Sequence, residues 1–134
     1  MIIRSKEKVN INGTNKPVWV LDTDALTVTH NTADAEPSVT AFSSEHIKYH
    51  LHYSAKYRPA KLKKLVNDGK ILSYLTDLDR SVTEAVERQV EKWKTTDEEY
   101  LEAVEVGDFP KAHDLENMLR LCAKESVYAD MVYV

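Results

Sequence analysis

The chain has 134 residues, 43% of them apolar and 30% charged, with a formal net charge of −4. That length suits one domain, and the apolar content can bury a modest core, which excludes a globally disordered chain. No run of about 18 apolar residues occurs, so no membrane span is expected.

The N-terminus MIIRSKEKVN has no signal-peptide apolar core. Cys122 is the single cysteine, so no internal disulfide forms; within LRLCAKE it reads as a buried or half-buried thiol rather than a nucleophile. These features point to the cytoplasm. The net charge hides a separation. Residues 45–70 hold seven basic residues against two acidic, and residues 95–117 hold eight acidic against one basic. Asymmetry of this kind bears on partners rather than on fold.

Residues 8–21 predict a β-hairpin. Val9 and Ile11 alternate with polar residues, and Asn12-Gly13-Thr14-Asn15 has turn chemistry. Pro17 lacks a ladder donor, so it should start the second strand or lie on an edge. Val18, Trp19, Val20 and Leu21 continue that strand; residues 25–29 predict a third short strand, and residues 30–41 a polar loop.

A first helix is expected after Ser43, which can cap it while Phe42 packs onto Ile47. Ile47, His50, Leu51 and Ala55 share its inner face. Arg58-Pro59 interrupts, and Pro59 can open the next helix at its first position. Leu62, Leu65 and Val66 form that helix's apolar face, and Asn67-Asp68-Gly69 stops it. A long helix follows, with Ile71, Leu75, Leu78, Val82, Ala85 or Val86, Gln89 or Val90, and Trp93 as its seam. Asp77, Arg80, Glu84, Arg88, Glu91 and Lys92 keep its other side wet. Thr96 with Glu99 reads as a capping box for a further helix, broken at Val106-Gly107-Asp108-Phe109-Pro110. The last helix should run over residues 110–127, with Leu115, Met118, Leu119 and Cys122 inward. The expected fold is therefore α+β and mostly α, a small N-terminal β-hairpin (1–30) beside a bundle of about four to five helices (42–130), in one domain over 1–134.

The run EHIKYHLHY, then Arg58, then LKKLVNDGKILSYLTDLDRSVTE, and a later ENMLRLCAKESV, resembles the TnpV family of transposon-encoded proteins. The matching positions are His46, Tyr49, Leu51, Gly69, Lys70, Tyr74, Leu75, Asp77, Asp79, Arg80, Met118, Arg120, Ala123 and Glu125. The resemblance covers roughly residues 42–94 and 115–128, and its core is G-K-x-L-x-x-Y-L-x-D-x-D-R. Glu45 stands where the family has a basic residue, the segment from His46 to Gly69 is longer by about a helical turn, and residues 95–110 have no obvious counterpart. The resemblance implies residence on a mobile genetic element and no enzyme activity.

Four residue groups invite a chemical reading. Asp77 and Asp79 beside Arg80 could suggest a carboxylate pair for magnesium, but residues two apart on a helix do not face one another. His46 and His50, at i and i+4 with His52 nearby, could share a metal; packed or surface histidines are the plainer reading. Lys70 follows Gly69 outside any phosphate-loop pattern. The basic run Lys56, Arg58, Lys61, Lys63, Lys64 and Lys70, with Tyr49, Tyr53 and Tyr57 upstream, could neutralise nucleic-acid phosphates. The acidic run Asp97, Glu98, Glu99, Glu102, Glu105 and Asp108, around Tyr100, Leu101, Val104 and Phe109, could mimic a nucleic-acid backbone inside a basic protein channel. For both runs the plainer reading is a solvated helix face.

These observations favour a non-enzymatic interaction protein: an inhibitor or modulator of a host nucleic-acid-handling protein such as a CRISPR effector nuclease, by analogy with other small acidic proteins of mobile elements. The alternative is a DNA-binding accessory or regulator of transposition. The expected partner is a large protein or ribonucleoprotein, with nucleic acid second. A homodimer through the long helix's seam is a third reading. No cofactor, metal or catalytic residue is expected.

Overall fold

The computed structural model describes residues 1–134 and contains six short strands and five helices. Two compact units divide it: residues 1–79 with 132–134, and residues 80–131.

The first unit holds all the strands. β2 (Lys8–Ile11) and β3 (Thr14–Pro17) form the expected hairpin. Asn12 and Gly13 both take positive φ, at 52° and 83°, as a two-residue turn of this handedness requires. Pro17 ends the second strand rather than starting it, and in a two-stranded sheet every position is an edge. The hairpin is not the only β structure. A four-stranded antiparallel sheet joins β1 (Ile2–Arg4), β4 (Trp19–Asp22), β5 (Thr27–His30) and β6 (Ser38–Ala41), in that order. Trp19, Val20 and Leu21 thus belong to a different sheet from β3. The stretch predicted as loop contains β6, and the N-terminal residues form a strand. The register aligns Ile3, Leu21 and Val28 across three strands, and all three are buried. Between β4 and β5, Asp22 Oδ1 accepts from the backbone N–H groups of Asp24 and Ala25, which hold its carboxyl below the usual range.

Against the Ile3–Leu21–Val28 row pack Ile47 and Leu51 of α1 (Glu45–Tyr57), Leu62 and Val66 of α2 (Pro59–Asn67), and Ile71 and Leu75 of α3 (Ile71–Lys94). Each such aliphatic side chain contributes about 1.5–3 kcal/mol by leaving water. Ser44, one residue later than expected, caps α1 by accepting from the His46 N–H at 3.2 Å. Its hydroxyl donates to Asp79 Oδ1 at 2.6 Å, so one side chain starts α1 and fixes a carboxylate of α3. Pro59 occupies the first turn of α2, as its fixed φ favours. Gly69 has φ +69° at the stop before α3, and a Cβ there would lie 3.0 Å from Trp19 Nε1.

The second unit comprises α3 from residue 80, α4 (Glu98–Glu105) and α5 (Phe109–Met131). Val82, Val86 and Val90 of the seam are buried, as is Ala103 of α4, with Ala112, Ala123 and Tyr128 of α5. Leu78, Ala85, Gln89 and Trp93 of the seam are half-buried. Asp97, not Thr96, caps α4 by accepting from the Tyr100 N–H at 2.9 Å; Thr96 donates to the Trp93 carbonyl. On α5, Met118 and Cys122 are exposed, contrary to the sequence reading. Leu115 and Leu119 are half-buried. No helix is long and apolar enough to cross a membrane.

Candidate functional site

The acidic run lies on α4 and the turn after it. With 100° between successive residues, Glu98, Glu102 and Glu105 share one stripe about 60° wide. All three are exposed, as is Glu99. None of the four forms an ion pair. Asp97 and Asp108 have local duties instead, since Asp97 caps α4 and Asp108 Oδ1 accepts from the Lys111 N–H at 3.3 Å. Beside the stripe, Leu101 and Val104 are exposed, and at the α4–α5 turn Val106 and Phe109 are 71% and 67% exposed. A shallow pocket of about 260 Å³ opens between α4 and α5, lined by Asp97 and Glu99 with Leu115, Met118, Leu119 and Cys122. The arrangement is an acidic rim around apolar side chains, which suits a basic partner carrying apolar anchors.

One lysine holds α4 in place. Lys94 Nζ lies 3.3 Å from Glu91, 3.2 Å from Glu116 of α5, and 5.4 Å from the Tyr100 ring of α4. Burial disfavours its charge, but Glu116, Glu91 and Tyr100 outweigh that and hold the ammonium well above its ordinary pKa. Close by, Arg120 grips Glu87 through two bonds of 2.9 and 3.1 Å, which lowers the Glu87 carboxyl. Lys94 and Glu116 stand 22 residues apart, so no local spacing in the sequence pairs them.

The basic run lies in the first unit. Lys56, Arg58, Lys61, Lys63, Lys64 and Lys70 are all exposed. Lys61, Lys63 and Lys64 spread over the outward face of α2, opposite Leu62 and Val66, and α2 has no carboxylate. Two of these cations also touch rings: Lys56 Nζ is 5.2 Å from the centre of Tyr57, and Lys61 Nζ is 5.1 Å from that of Tyr74.

The histidines separate. His50 is fully buried, with Nδ1 2.7 Å from the Val132 carbonyl and Nε2 2.9 Å from the Tyr74 hydroxyl. Both nitrogens are occupied, so His50 has no lone pair to share with His46. Desolvation lowers its pKa; the Val132 carbonyl opposes that shift and Lys61 adds to it. No group of three or more His, Cys, Asp or Glu side chains is placed to hold a metal ion. Cys122 is exposed rather than buried, correcting the sequence reading.

Several residues that carry the TnpV resemblance perform structural work. Gly69 makes room for Trp19, Tyr74 donates to His50, Asp79 receives Ser44, Ala123 is buried and Arg120 binds Glu87. No family model, curated protein or solved structure matches the chain.

Proposed function

We propose that the chain is a non-enzymatic interaction protein of a mobile genetic element. On this reading it inhibits or modulates a host nucleic-acid-handling protein, such as a CRISPR effector nuclease, by docking α4 and the α4–α5 turn into a basic nucleic-acid channel. The observation that carries the reading is the exposed stripe of Glu98, Glu102 and Glu105, without ion-pair partners and bordered by exposed Leu101, Val104, Val106 and Phe109. A solvated helix face has no use for that apolar border, whereas a docking surface uses it as the part that leaves water. The carboxylates would supply steering and register. Changing Glu98, Glu99, Glu102 and Glu105 to Lys should abolish partner binding and leave the circular-dichroism spectrum unchanged. Retained binding by a folded variant contradicts the reading.

A second reading, an accessory or regulator of transposition that binds DNA, is favoured by the outward face of α2, with three lysines and no carboxylate. It requires duplex binding that weakens steeply with salt and depends on Lys61, Lys63 and Lys64. Cytoplasmic residence accords with both readings.

A further inference from the structure

Tyr49, Tyr53 and Tyr57 stand four residues apart on α1, so their side chains follow one another down one flank of the helix. The buried side chains of α1 are Ile47, His50, Leu51 and Ser54, which leaves that flank beside the core rather than in it. The Tyr53 ring meets Tyr57 at 4.9 Å and Tyr133 at 5.6 Å between centres, both tilted rather than stacked. Tyr57 is 52% exposed, Tyr133 43% and Tyr49 39%, so the rings keep open area. Lys56 lies beside the Tyr57 ring, Arg58 donates to the Tyr57 carbonyl at 3.2 Å, and Lys61 follows on α2, against the Tyr74 ring. Glu45 is the only carboxylate on α1, and α2 has none.

Aromatic rings in series with adjoining cations form the chemistry that holds an unpaired nucleic-acid strand, with bases on the rings and phosphates on the cations. The Tyr53 and Tyr57 ring centres stand 4.9 Å apart with 44° between their planes, wider than the ~3.4 Å base repeat of a duplex strand and not parallel. The stripe therefore fits a strand whose bases are splayed, not one already stacked in a helix. An acidic peptide would use the cations and leave the rings idle.

We propose that the Tyr49–Tyr53–Tyr57 flank of α1, with Tyr133, Lys56, Arg58 and Lys61, is a binding site for single-stranded nucleic acid. The site shares no residue with the α4 surface, and the two stand or fall separately. It also differs from duplex binding by the lysines of α2, because it depends on rings.

The test is fluorescence anisotropy with labelled twelve-nucleotide oligodeoxyuridylate and oligouridylate, and a duplex of the same length, at low and moderate salt. Both single strands should bind more tightly than the duplex, and a preference between them reports whether the ribose hydroxyl is contacted. With three phosphates neutralised by Lys56, Arg58 and Lys61, the logarithm of affinity should fall against that of salt with a slope of about −2. Tyr57→Ala should weaken single-strand binding ~5- to ~100-fold, Tyr57→Phe should stay within about twofold of wild type, and Tyr49→Ala should weaken it in the same direction as Tyr57→Ala. Absence of single-strand binding, tighter binding to the duplex, equal displacement by polyglutamate, or full affinity in both alanine variants overturns the proposal.

Discussion

His50 Nδ1 lies 2.7 Å from the carbonyl oxygen of Val132, 82 residues further along the chain. Because a carbonyl can only accept, Nδ1 carries the proton, and Nε2 is left to accept from the Tyr74 hydroxyl. The neutral ring satisfies both contacts, and a second proton would have to enter a buried site. Its pKa in the folded protein is therefore below the ordinary 6.5, chiefly through desolvation. The unfolded chain binds that proton more readily, so the contribution of His50 is full above about pH 6.5 and is lost as pH falls below it. Denaturant titrations at pH 7.5 and 5.5 should show lower stability at the acidic pH. His50→Leu should cost about 1–3 kcal/mol at neutral pH and flatten that dependence. An unchanged pH dependence in the variant contradicts the assignment.

Gly69 and Trp19 form a second long-range constraint. Alanine at 69 would be strained at φ +69° and would push against the indole, which stacks on His30 at 4.0 Å with only 4° between the planes. Gly69→Ala should destabilise the protein by roughly 1–3 kcal/mol. The emission of Trp19 should also shift, read in a Trp93→Phe background. A silent substitution would mean that the indole yields without cost.

Lys94 makes a prediction about α4. Lys94→Met keeps the aliphatic stem but removes the bonds to Glu91 and Glu116 and the approach to Tyr100. The global cost should be only about 1 kcal/mol, since the contacts lie near solvent. The α4 amides should exchange with deuterium faster, while those of β4 and β5 keep their protection. Uniformly faster exchange throughout the chain contradicts a local role.

The helices were legible because their signals are local. Pro59, the Gly69 stop and the three- and four-residue steps from Ile71 to Trp93 lie within a few turns of the residues they govern. The hairpin at Asn12-Gly13 was legible for the same reason. β1 and β6 were not, because IIR is only three residues long, SVTA is a short segment in a polar stretch whose apolar Val39 and Ala41 are exposed, and their partners, β4 and β5, lie elsewhere in the chain. On α5 the sequence assigned the inner face to Leu115, Met118, Leu119 and Cys122, whereas Ala112, Ala123 and Tyr128 are the buried residues and Met118 is exposed. The two charge runs could be read directly. The exposure of the apolar residues around the acidic stripe, the Lys94–Glu116 bond and the addition of Tyr133 to the α1 tyrosines required the fold.

The most direct test of the α4 account is guided DNA cleavage by a panel of purified RNA-guided nucleases, with wild-type protein and with Glu98, Glu99, Glu102 and Glu105 changed to Lys. The account predicts that the wild-type chain suppresses cleavage by at least one nuclease and that the folded charge-reversed variant does not. Equal suppression by both proteins, or no suppression of any nuclease by the wild type, contradicts it.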